Sequence, residues 1–370
     1  MDKILGILNL HSDSNFGNLT INKNVATTSF LGRYYFLDFA LSRFTNCNIN
    51  SIEVLVKNKP TALFKHLSVG AKAWSINTQL GGINLMYNEL ESKRSYMNTD
   101  FNTILTNKKF LYNYSQAFVL VAPCDIISNI DYQEMMRSHI MSGKLITVAY
   151  KDCSDELNKY EDVNKVVLTT DKLESNNRLK YLTKDKNNPN VYMQTFMIHR
   201  TKLIEILENF DLDDEIPTFN DIISYAARLE DVNVYKYDGF MRYFRTLENY
   251  VDYSLEMLDP NNYNKLFGEN NKPIYTRGYN TPPTVYGKGS IVNRCFIANG
   301  CNIQGKVTNS IIGRNVKIDK DAVVNNSIIF SNAHIKQGSV VEDAIIENGS
   351  TVEEKTKIKG NNKKPAYIKS

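Results

Sequence analysis

At 370 residues the chain exceeds one typical hydrophobic core, so we expect two domains. With 44 Lys or Arg against 40 Asp or Glu, the formal charge of +4 is too slight to indicate a nucleic-acid partner. An odd number of cysteines without any C-x-x-C pair argues against a disulfide framework or a zinc site; they are Cys47, Cys124, Cys153, Cys295 and Cys301.

The chain begins with Met1-Asp2-Lys3, which leads into a strand-length apolar run rather than the long core of a secretion signal. No apolar run approaches the roughly 20 residues needed to cross a bilayer. We therefore expect a cytoplasmic protein with no membrane partner.

Residues 1–250 alternate between short aliphatic runs and helical patterns. The runs predict strands buried on both faces, at residues 4–10, 52–56, 118–121, 145–149, 191–198 and 232–237. The clearest helices are preceded or opened by a capping Asp, Thr or Asn and cover residues 132–141, 201–210 and 220–229. This alternation predicts an α/β domain with an open, mostly parallel sheet and a ligand crevice at the carboxyl ends of its strands.

A domain boundary is expected near residue 260. Asp259-Pro260-Asn261-Asn262 is expected to close a helix, and residues 268–283 are rich in Gly, Pro and Asn. The predicted organisation is an α/β domain at residues 1–260, a linker at 261–283 and a second domain at 284–370.

The last part of the chain repeats about every 17 residues. Residues 307–312, 324–329 and 341–346 read VTNSII, VNNSII and VEDAII, and residues 292–297 form a looser copy. An aliphatic residue returns about every six positions, at Val285, Ile291, Ile297, Ile303, Ile312, Ile318, Val324, Ile329, Ile335, Val341, Ile346, Val352 and Ile358. Three hexads, one of them a residue short, make one coil of a parallel β-helix, in which each inward aliphatic residue stacks on the coil below.

Several motifs carry a resemblance to a known family. Residues 30–42, FLGRYYFLDFALS, are similar to the segment FGGKYRIIDFPLS of the ADP-glucose pyrophosphorylases, also called glucose-1-phosphate adenylyltransferases. Further similar positions are His66-Leu67, Gly70, Trp74, Cys124-Asp125, Ile130-Asp131-Tyr132, Asp238-Gly239-Phe240, Pro273-Ile274-Tyr275-Thr276 and Pro282-Pro283. The resemblance implies a Rossmann-like nucleotidyltransferase domain followed by a left-handed β-helix of hexapeptide repeats. Members of that family make ADP-glucose from ATP and glucose 1-phosphate for glycogen or starch.

The family's chemistry needs a glycine-rich phosphate loop after the first strand, an Arg for the leaving pyrophosphate and a Mg²⁺ held by two Asp. Its loop reads GGxGTRLxPLT, whereas residues 10–20 here read LHSDSNFGNLT. Leu10, His11 and Asp13 replace the three glycines, and Asn15 replaces the Arg. Because one missing donor commonly costs about 10²–10³ in rate, the resemblance implies that turnover is lost.

The departures extend beyond this loop. Val25 replaces a family Lys, and Tyr243 replaces one of the two metal-binding Asp, leaving Asp125 alone. A phenol that is neutral near pH 7 cannot supply the hard anionic oxygen that Mg²⁺ prefers. Lys184 matches the Lys of the family's sugar-phosphate segment FxEK, whose Glu is absent. The resemblance thus implies no catalytic residues, no metal and no cofactor, with Asp125 and Lys184 as residual ligand-binding residues.

The same departures resemble the D-type subunit of this family in Gram-positive bacteria, which has lost the catalytic loop. This implies a regulatory subunit that pairs with the catalytic subunit in a heterotetramer to modulate ADP-glucose synthesis for glycogen, with a sugar phosphate or nucleotide as a further effector. Two alternatives stay open. One is a divergent but active nucleotidyltransferase that uses Mg²⁺, and the other is a hexapeptide-repeat acyltransferase with His334 as its base.

Simpler structural interpretations stand beside these. Asp125 is read either as a metal-site remnant or as a strand-end cap. His11 and Asp13 are read either as an acid–base pair or as residues of local turns. His334 is expected at the surface, and residues 355–369 are read as a solvated basic face or an anionic-effector site. Packing roles are expected for Cys47, Cys124 and Trp74.

Overall fold

A computed structural model describes residues 3–68, 70–87, 98–170, 177–209, 217–229, 232–268, 271–361 and 364–369. The chain divides into two compact units. The first unit comprises residues 1–12, 40–60 and 67–243, and the second unit comprises residues 13–39, 61–66 and 244–370.

Strands and helices alternate up to residue 267. The strands are β1 (Ile4–Asn9), β2 (Ser29–Phe30), β3 (Tyr34–Tyr35), β4 (Ser51–Val56), β5 (Gly82–Tyr87), β6 (Phe118–Pro123), β7 (Ile126–Ser128), β8 (Ile146–Asp152), β9 (Lys165–Thr170), β10 (Asn177–Thr183), β11 (Asn190–His199), β12 (Val232–Lys236) and β13 (Met241–Tyr243). The α-helices are α1 (Phe36–Asn46), α2 (Pro60–Leu67), α3 (Asp100–Asn107), α4 (Phe110–Asn113), α5 (Tyr132–Ser142), α6 (Arg200–Glu208), α7 (Phe219–Leu229), α8 (Leu247–Glu256) and α9 (Pro260–Phe267).

All six strands and all three helices predicted from the sequence are confirmed, with ends that differ by at most three residues. The predicted end of the second helix, Phe210, lies outside the described residues. One assignment was wrong. Asp259 does not close a helix but caps the start of α9, where its carboxylate accepts a hydrogen bond from the Asn261 N–H at 2.7 Å. Residues 261–267 of the predicted linker are therefore helical.

The first unit is built on a nine-stranded sheet of order β5-β4-β1-β6-β11-β8-β12-β10-β9. The first four strands run parallel to one another, as β12 does to β8. β11 is antiparallel to β6 and β8, and β10 is antiparallel to β12 and β9. The predicted parallel order thus holds for part of a mixed sheet. β1, β4 and β6 are buried almost throughout, as continuous aliphatic strands covered on both faces should be.

Three local features shape the carboxyl edge of this sheet. β1 and β6 end side by side, since Asn9 is the register partner of Pro123. β7 follows β6 directly and pairs with β13, which sets Tyr243 opposite Ile126. A bulge in β11 leaves Gln194 in the left-handed region, with φ of 49°. This edge carries the candidate site.

The second unit contains the β-helix that the 17-residue period predicted. Its strands are β14 (Val285–Tyr286), β15 (Ile291–Asn293), β16 (Phe296–Ile297), β17 (Asn302–Ile303), β18 (Lys306–Thr308), β19 (Ile311–Ile312), β20 (Lys317–Ile318), β21 (Val323–Asn325), β22 (Ile328–Ile329), β23 (His334–Ile335), β24 (Val340–Glu342), β25 (Ala344–Ile346), β26 (Thr351–Val352), β27 (Lys357–Lys359) and β28 (Ala366–Ile368). They form three five-stranded sheets in which every third strand pairs in parallel.

Each sheet contributes one column of inward aliphatic residues. Inward residues of the middle coils, such as Ile318, Val324 and Ile329, are essentially inaccessible to solvent. The prediction for the first coil was wrong by one position. Tyr286 rather than Val285 is the register partner of Ile303, and Val292 rather than Ile291 is the partner of Val307. The inward residues Val292 and Ile297 are five rather than six positions apart, and this shifts the register of the residues before them.

Asparagine ladders hold the corners of the coils. Asn309, Asn326 and Asp343 have φ of 45°, 48° and 47°, a region that Asn and Asp enter more readily than other residues with a Cβ. The Asn309 amide donates to Asn326 at 2.6 Å, and the Asn326 amide donates to Asp343 at 2.5 Å. These bonds between coils explain why the repeat carries Asn or Asp at this position.

The second unit also contains the hairpin of β2 and β3, which meets the β-helix through Gly32. Gly32 has φ of 68°, and a Cβ built on it would lie 2.7 Å from the carbonyl oxygen of Ile312. Glycine is therefore required both by the backbone conformation and by the close approach of β19.

Candidate functional site

The segment after β1 turns its side chains into the protein. Leu10 is buried, and its N–H donates to the carbonyl of Leu55 at 3.0 Å. The His11 N–H donates to Asn9 Oδ1 at 2.9 Å, and its Nε2 lies 3.1 Å from Thr103 Oγ1. Burial, aided by the nearby Lys57, lowers the pKa of His11 to about 4. His11 is therefore neutral near pH 7 and brings no positive charge to this edge.

Asp125 lies just beyond β6 and is fully buried. The hydroxyl of Ser12 donates a hydrogen bond to its carboxylate. The segment after β1 therefore contacts the Asp125 carboxylate through the neutral hydroxyl of Ser12. Asp125 is the one carboxylate of the family's metal-binding pair that the resemblance retains in this chain.

Tyr243 lies next to Asp125, because its register partner Ile126 is the following residue. Its side chain is 2 % exposed, and its hydroxyl accepts a hydrogen bond from the Gln194 amide at 2.6 Å. Gln194 reaches it from the bulge in β11, whose left-handed φ costs on the order of 1–3 kcal/mol for a residue with a Cβ. A phenol and an amide thus lie where the sequence resemblance expects the second metal-binding Asp.

Gln194 was missed in the sequence. The only signal was a polar residue inside an aliphatic run, and that signal did not predict the bulge. Lys165, the first residue of β9, was also missed. It is inaccessible to solvent, and its ammonium has no hydrogen-bond acceptor among the described residues. Burial lowers its pKa.

Arg242 is the nearest guanidinium to Tyr243 in sequence, and a carboxylate already engages it. Its two terminal nitrogens lie 2.8 and 3.0 Å from the two carboxylate oxygens of Glu156. Burial acts to raise the pKa of Glu156, but Lys159 and Arg242 outweigh it and hold this pKa below its ordinary value. Arg242 is therefore held in an ion pair with Glu156, which Lys159 also contacts.

Lys184 follows β10 and is exposed. Thr183 pairs with Lys165 of β9, which in turn pairs with Val191 of β11. Lys184 therefore lies two strands away from β11, at a distance from the group formed by Ser12 and Asp125.

The other loop positions belong to the second unit. Asn15 is exposed, and its Oδ1 accepts hydrogen bonds from the Gly17 N–H at 2.9 Å and the Thr20 hydroxyl at 3.1 Å. The side chain thus closes its own turn. Asp13 is exposed, and Val25 is a buried apolar residue.

The donor set at Asp125 does not fit Mg²⁺. This cation requires near-octahedral coordination by hard oxygens. It usually keeps several of its waters while carboxylates bind it. Here one fully buried carboxylate is hydrogen-bonded to Ser12, and its neighbour Tyr243 is a phenol engaged by Gln194. Across the described part of the chain, no group of three or more His, Cys, Asp or Glu is arranged to hold a metal.

The remaining singled-out residues have structural surroundings. Trp74, Cys47 and Cys124 are buried, and none of the five cysteines, all of which lie in the described ranges, is joined in a disulfide. His334 is half-buried on an outer face of the β-helix, with its Nε2 2.7 Å from Asp319. No helix within the described ranges is long and apolar enough to span a membrane. Lys363, part of the basic stretch at residues 355–369, lies outside the described residues.

Comparison with known proteins gives two findings. A family model for the GlmU-like C-terminal hexapeptide domain matches residues 284–366. Glucose-1-phosphate adenylyltransferase of Thermosipho africanus is 28% identical over 317 residues, which cover 83% of this chain and 74% of that protein. The enzyme of the same name from Clostridium novyi is 26% identical, over 83% of this chain and 80% of its own length. The glycogen biosynthesis protein GlgD of Bacillus subtilis is 22% identical, over 82% of this chain and 77% of its own length. The chain is therefore similar over most of its length to the glucose-1-phosphate adenylyltransferases and to GlgD.

Proposed function

We propose that this chain is a regulatory subunit of a glucose-1-phosphate adenylyltransferase, without turnover of its own, that pairs with a catalytic chain and modulates its synthesis of ADP-glucose for glycogen. The observation that carries the proposal is the state of the carboxyl edge in the first unit. Ser12 engages Asp125, and Gln194 engages Tyr243, where the family's reaction needs two carboxylates and a metal ion.

The charge balance supports the proposal. Nucleotidyl transfer from a triphosphate concentrates negative charge on the leaving pyrophosphate, which donors and cations must stabilise. His11 is neutral, Arg242 is paired with Glu156, and the uncharged Asn15 accepts hydrogen bonds with its amide oxygen within its own turn. If two missing donors act independently, the rate falls by about 10⁴–10⁶, since each costs about 10²–10³.

A subunit without turnover can still act through its partner. Coupling between sites in an assembly is typically about 1–3 kcal/mol, which changes an affinity about 5–150-fold. The proposal includes an anionic effector, such as a sugar phosphate or a nucleotide, and a cytoplasmic location in which free cysteines stay reduced. A heterotetramer with the catalytic chain is the proposed assembly.

The test compares three samples, each supplied with ATP, Mg²⁺ and glucose 1-phosphate. They are this chain alone, the catalytic chain with which it is proposed to pair alone, and a mixture of the two. We expect no pyrophosphate release from this chain alone, and a faster or more effector-sensitive rate in the mixture than in the catalytic chain alone. A mixture that behaves as the simple sum of its parts would overturn the proposal.

The retained carboxylate favours one competing function, an active but divergent nucleotidyltransferase that uses Asp125. The same assay decides between the two. Steady pyrophosphate release by this chain alone, abolished in the Asp125→Ala variant, would establish the active enzyme. Release that persists in that variant would instead indicate a contaminating enzyme.

A further inference from the structure

Lys165 carries a buried ammonium group that has no hydrogen-bond acceptor among the described residues. Its side chain is inaccessible to solvent, and its Nζ makes no hydrogen bond within this part of the protein. A buried ammonium is normally surrounded by carboxylates or carbonyl oxygens, because an uncompensated buried charge destabilises the fold. Native proteins keep such unsatisfied groups mainly where they serve a function.

The strand register places Lys165 at the carboxyl edge of the nine-stranded sheet. Lys165 is the partner of Val191 in β11, and the preceding residue, Asn190, is the partner of Asp152, the last residue of β8. β8 runs in the same direction as β6, since both are antiparallel to β11. Lys165 and Asp125 therefore lie at the same edge of the sheet, where open α/β sheets bind their ligands.

Two segments of the chain lie close to this ammonium. Cys153 and Glu161 are at the two ends of a short 3-10 helix after β8, and Asp185 follows β10. All three interact electrostatically with Lys165. At the surface the two segments are joined by an ion pair between Glu161 and Lys186, with 3.3 Å between Oε2 and Nζ. Their side chains are 49 % and 62 % exposed, so this pair opposes separation of the segments only weakly.

The groups near Lys165 indicate the class of ligand. Burial raises the pKa of the Cys153 thiol to about 11, so Cys153 brings no charge near pH 7. An ammonium without an acceptor attracts an anionic oxygen, and a phosphate group supplies several in a compact volume. Asp185 and Glu161 accept hydrogen bonds and repel further negative charge, so they suit the hydroxyl groups of a sugar. A sugar monophosphate meets both demands, whereas a nucleoside triphosphate would place excess charge beside two carboxylates.

We infer that Lys165 binds the phosphate of a sugar monophosphate at the carboxyl edge of the first unit, while Asp185 and Glu161 accept hydrogen bonds from the hydroxyl groups of the sugar. The inference rests on the proposed function and identifies where its anionic effector binds and of which class that effector is. Because Lys165 is inaccessible to solvent, the ligand enters when the two covering segments separate.

The first test measures binding without turnover. The full chain is titrated calorimetrically with glucose 1-phosphate in the absence of ATP and Mg²⁺. We expect Lys165→Met to raise the Kd at least about tenfold, because a hydrogen bond between two charged groups is lost. The matched control Lys184→Met removes an exposed ammonium from the segment after β10 and should leave the Kd within about threefold.

A ligand-binding role has a signature in thermal unfolding that a packing role lacks. Without ligand, Lys165→Met should unfold at a higher temperature than the parent chain, because the uncompensated ammonium is gone. With glucose 1-phosphate, the unfolding temperature of the parent chain should rise and that of Lys165→Met should stay unchanged. Equal upward shifts of both chains with the ligand would overturn the inference.

A comparison of ligands tests the class. Glucose 1-phosphate should bind more tightly than inorganic phosphate, and both should bind more tightly than ATP. The exposed Asp185 accepts a hydrogen bond from the Asn187 N–H, and Asp185→Asn keeps that acceptor while it removes the charge. This variant should weaken binding of glucose 1-phosphate and not of inorganic phosphate. Tighter binding of ATP than of glucose 1-phosphate, or equal binding of phosphate and glucose 1-phosphate, would overturn the assignment of a sugar monophosphate.

The outcomes separate this inference from the proposed function. If glucose 1-phosphate does not bind, or binds equally well to Lys165→Met, but the mixture with the catalytic chain differs from the sum of its parts, the binding site is wrong and the regulatory function stands. If binding depends on Lys165 but the mixture equals the sum of its parts, the regulatory function fails and the binding site stands. Loss of binding in Lys184→Met rather than in Lys165→Met would also overturn the inference.

Discussion

Replacing Tyr243 by Asp introduces the carboxylate that the sequence resemblance expects at this position and tests whether the rest of the site can use it. Tyr243 is buried, receives a hydrogen bond from Gln194 and lies beside the fully buried Asp125. We expect Tyr243→Asp to destabilise the first unit and to restore neither Mg²⁺ binding nor turnover.

The magnitude follows from the contacts. Removing a buried aromatic ring costs about 3–5 kcal/mol, and the lost hydrogen bond to Gln194 adds about 1 kcal/mol. The new carboxylate beside Asp125 must also have a raised pKa, since two adjacent buried carboxylates resist double ionisation. A raised folded-state pKa favours the fold at low pH, so the deficit should shrink as the pH falls from 7 toward about 4. The control Tyr243→Phe keeps the ring and should cost only about 1 kcal/mol.

The assay is urea unfolding followed by fluorescence of Trp74, which is the only tryptophan and is buried in the same unit. It is run with and without millimolar Mg²⁺. A ligand at 100 times its Kd stabilises the folded state by about 2.7 kcal/mol, so a site that binds Mg²⁺ would reveal itself. Recovery of that size in Tyr243→Asp, and not in Tyr243→Phe, would refute the reasoning.

Three further changes have expected outcomes. Burial and the nearby His199 lower the pKa of His139 to about 4. The contribution of neutral His139 to the free energy of unfolding is therefore fully present above about pH 6.5 and is lost as the pH falls toward 4, by about 2 kcal/mol at pH 5. In urea titrations, His139→Asn should reduce this dependence of the unfolding free energy on pH. Lys165→Met should raise the free energy of unfolding by about 1–2 kcal/mol at pH 7, because it removes a buried charge that has no hydrogen-bond acceptor among the described residues. The control Lys180→Met, at an exposed position, should leave the free energy of unfolding nearly unchanged, and equal effects of the two substitutions would contradict this prediction. Asn326→Ala should lower the free energy of unfolding of the β-helix by about 2–3 kcal/mol, and Asn326→Gly should lower it by less because glycine accepts φ of 48°. A larger loss in Asn326→Gly than in Asn326→Ala would contradict the account of the ladder.

The sequence predicted best the elements whose burial is uniform. β1, β4 and β6 are continuous aliphatic runs, and the repeat fixed three columns of the β-helix because every coil must fill the same interior. β9 and β10 were missed because Lys165, Arg178 and Lys180 interrupt their apolar pattern, although the sheet pairs them. Asp259 was misread because an Asp-Pro pair can follow one helix and begin the next.

The candidate site was predictable only in part. The resemblance named Asp125 and Tyr243, and the pairing of β7 with β13 makes them neighbours. It could not reveal that Ser12 and Gln194 engage them, since those contacts depend on a loop closure and a bulge between residues distant in sequence. Nor did the period of the repeat reveal that the inward Val292 and Ile297 are only five positions apart, so that Val285 and Ile291 lie outside the inward columns and at the surface.

The central claim is that this chain acts only through a partner. The most direct test titrates increasing amounts of it into a fixed amount of the catalytic chain while pyrophosphate release is measured with ATP, Mg²⁺ and glucose 1-phosphate. The account expects no release when the catalytic chain is omitted, and a rate or effector response that changes and then reaches a plateau as the complex saturates. Release without the catalytic chain that grows in proportion to this chain, and disappears in Asp125→Ala, would contradict it.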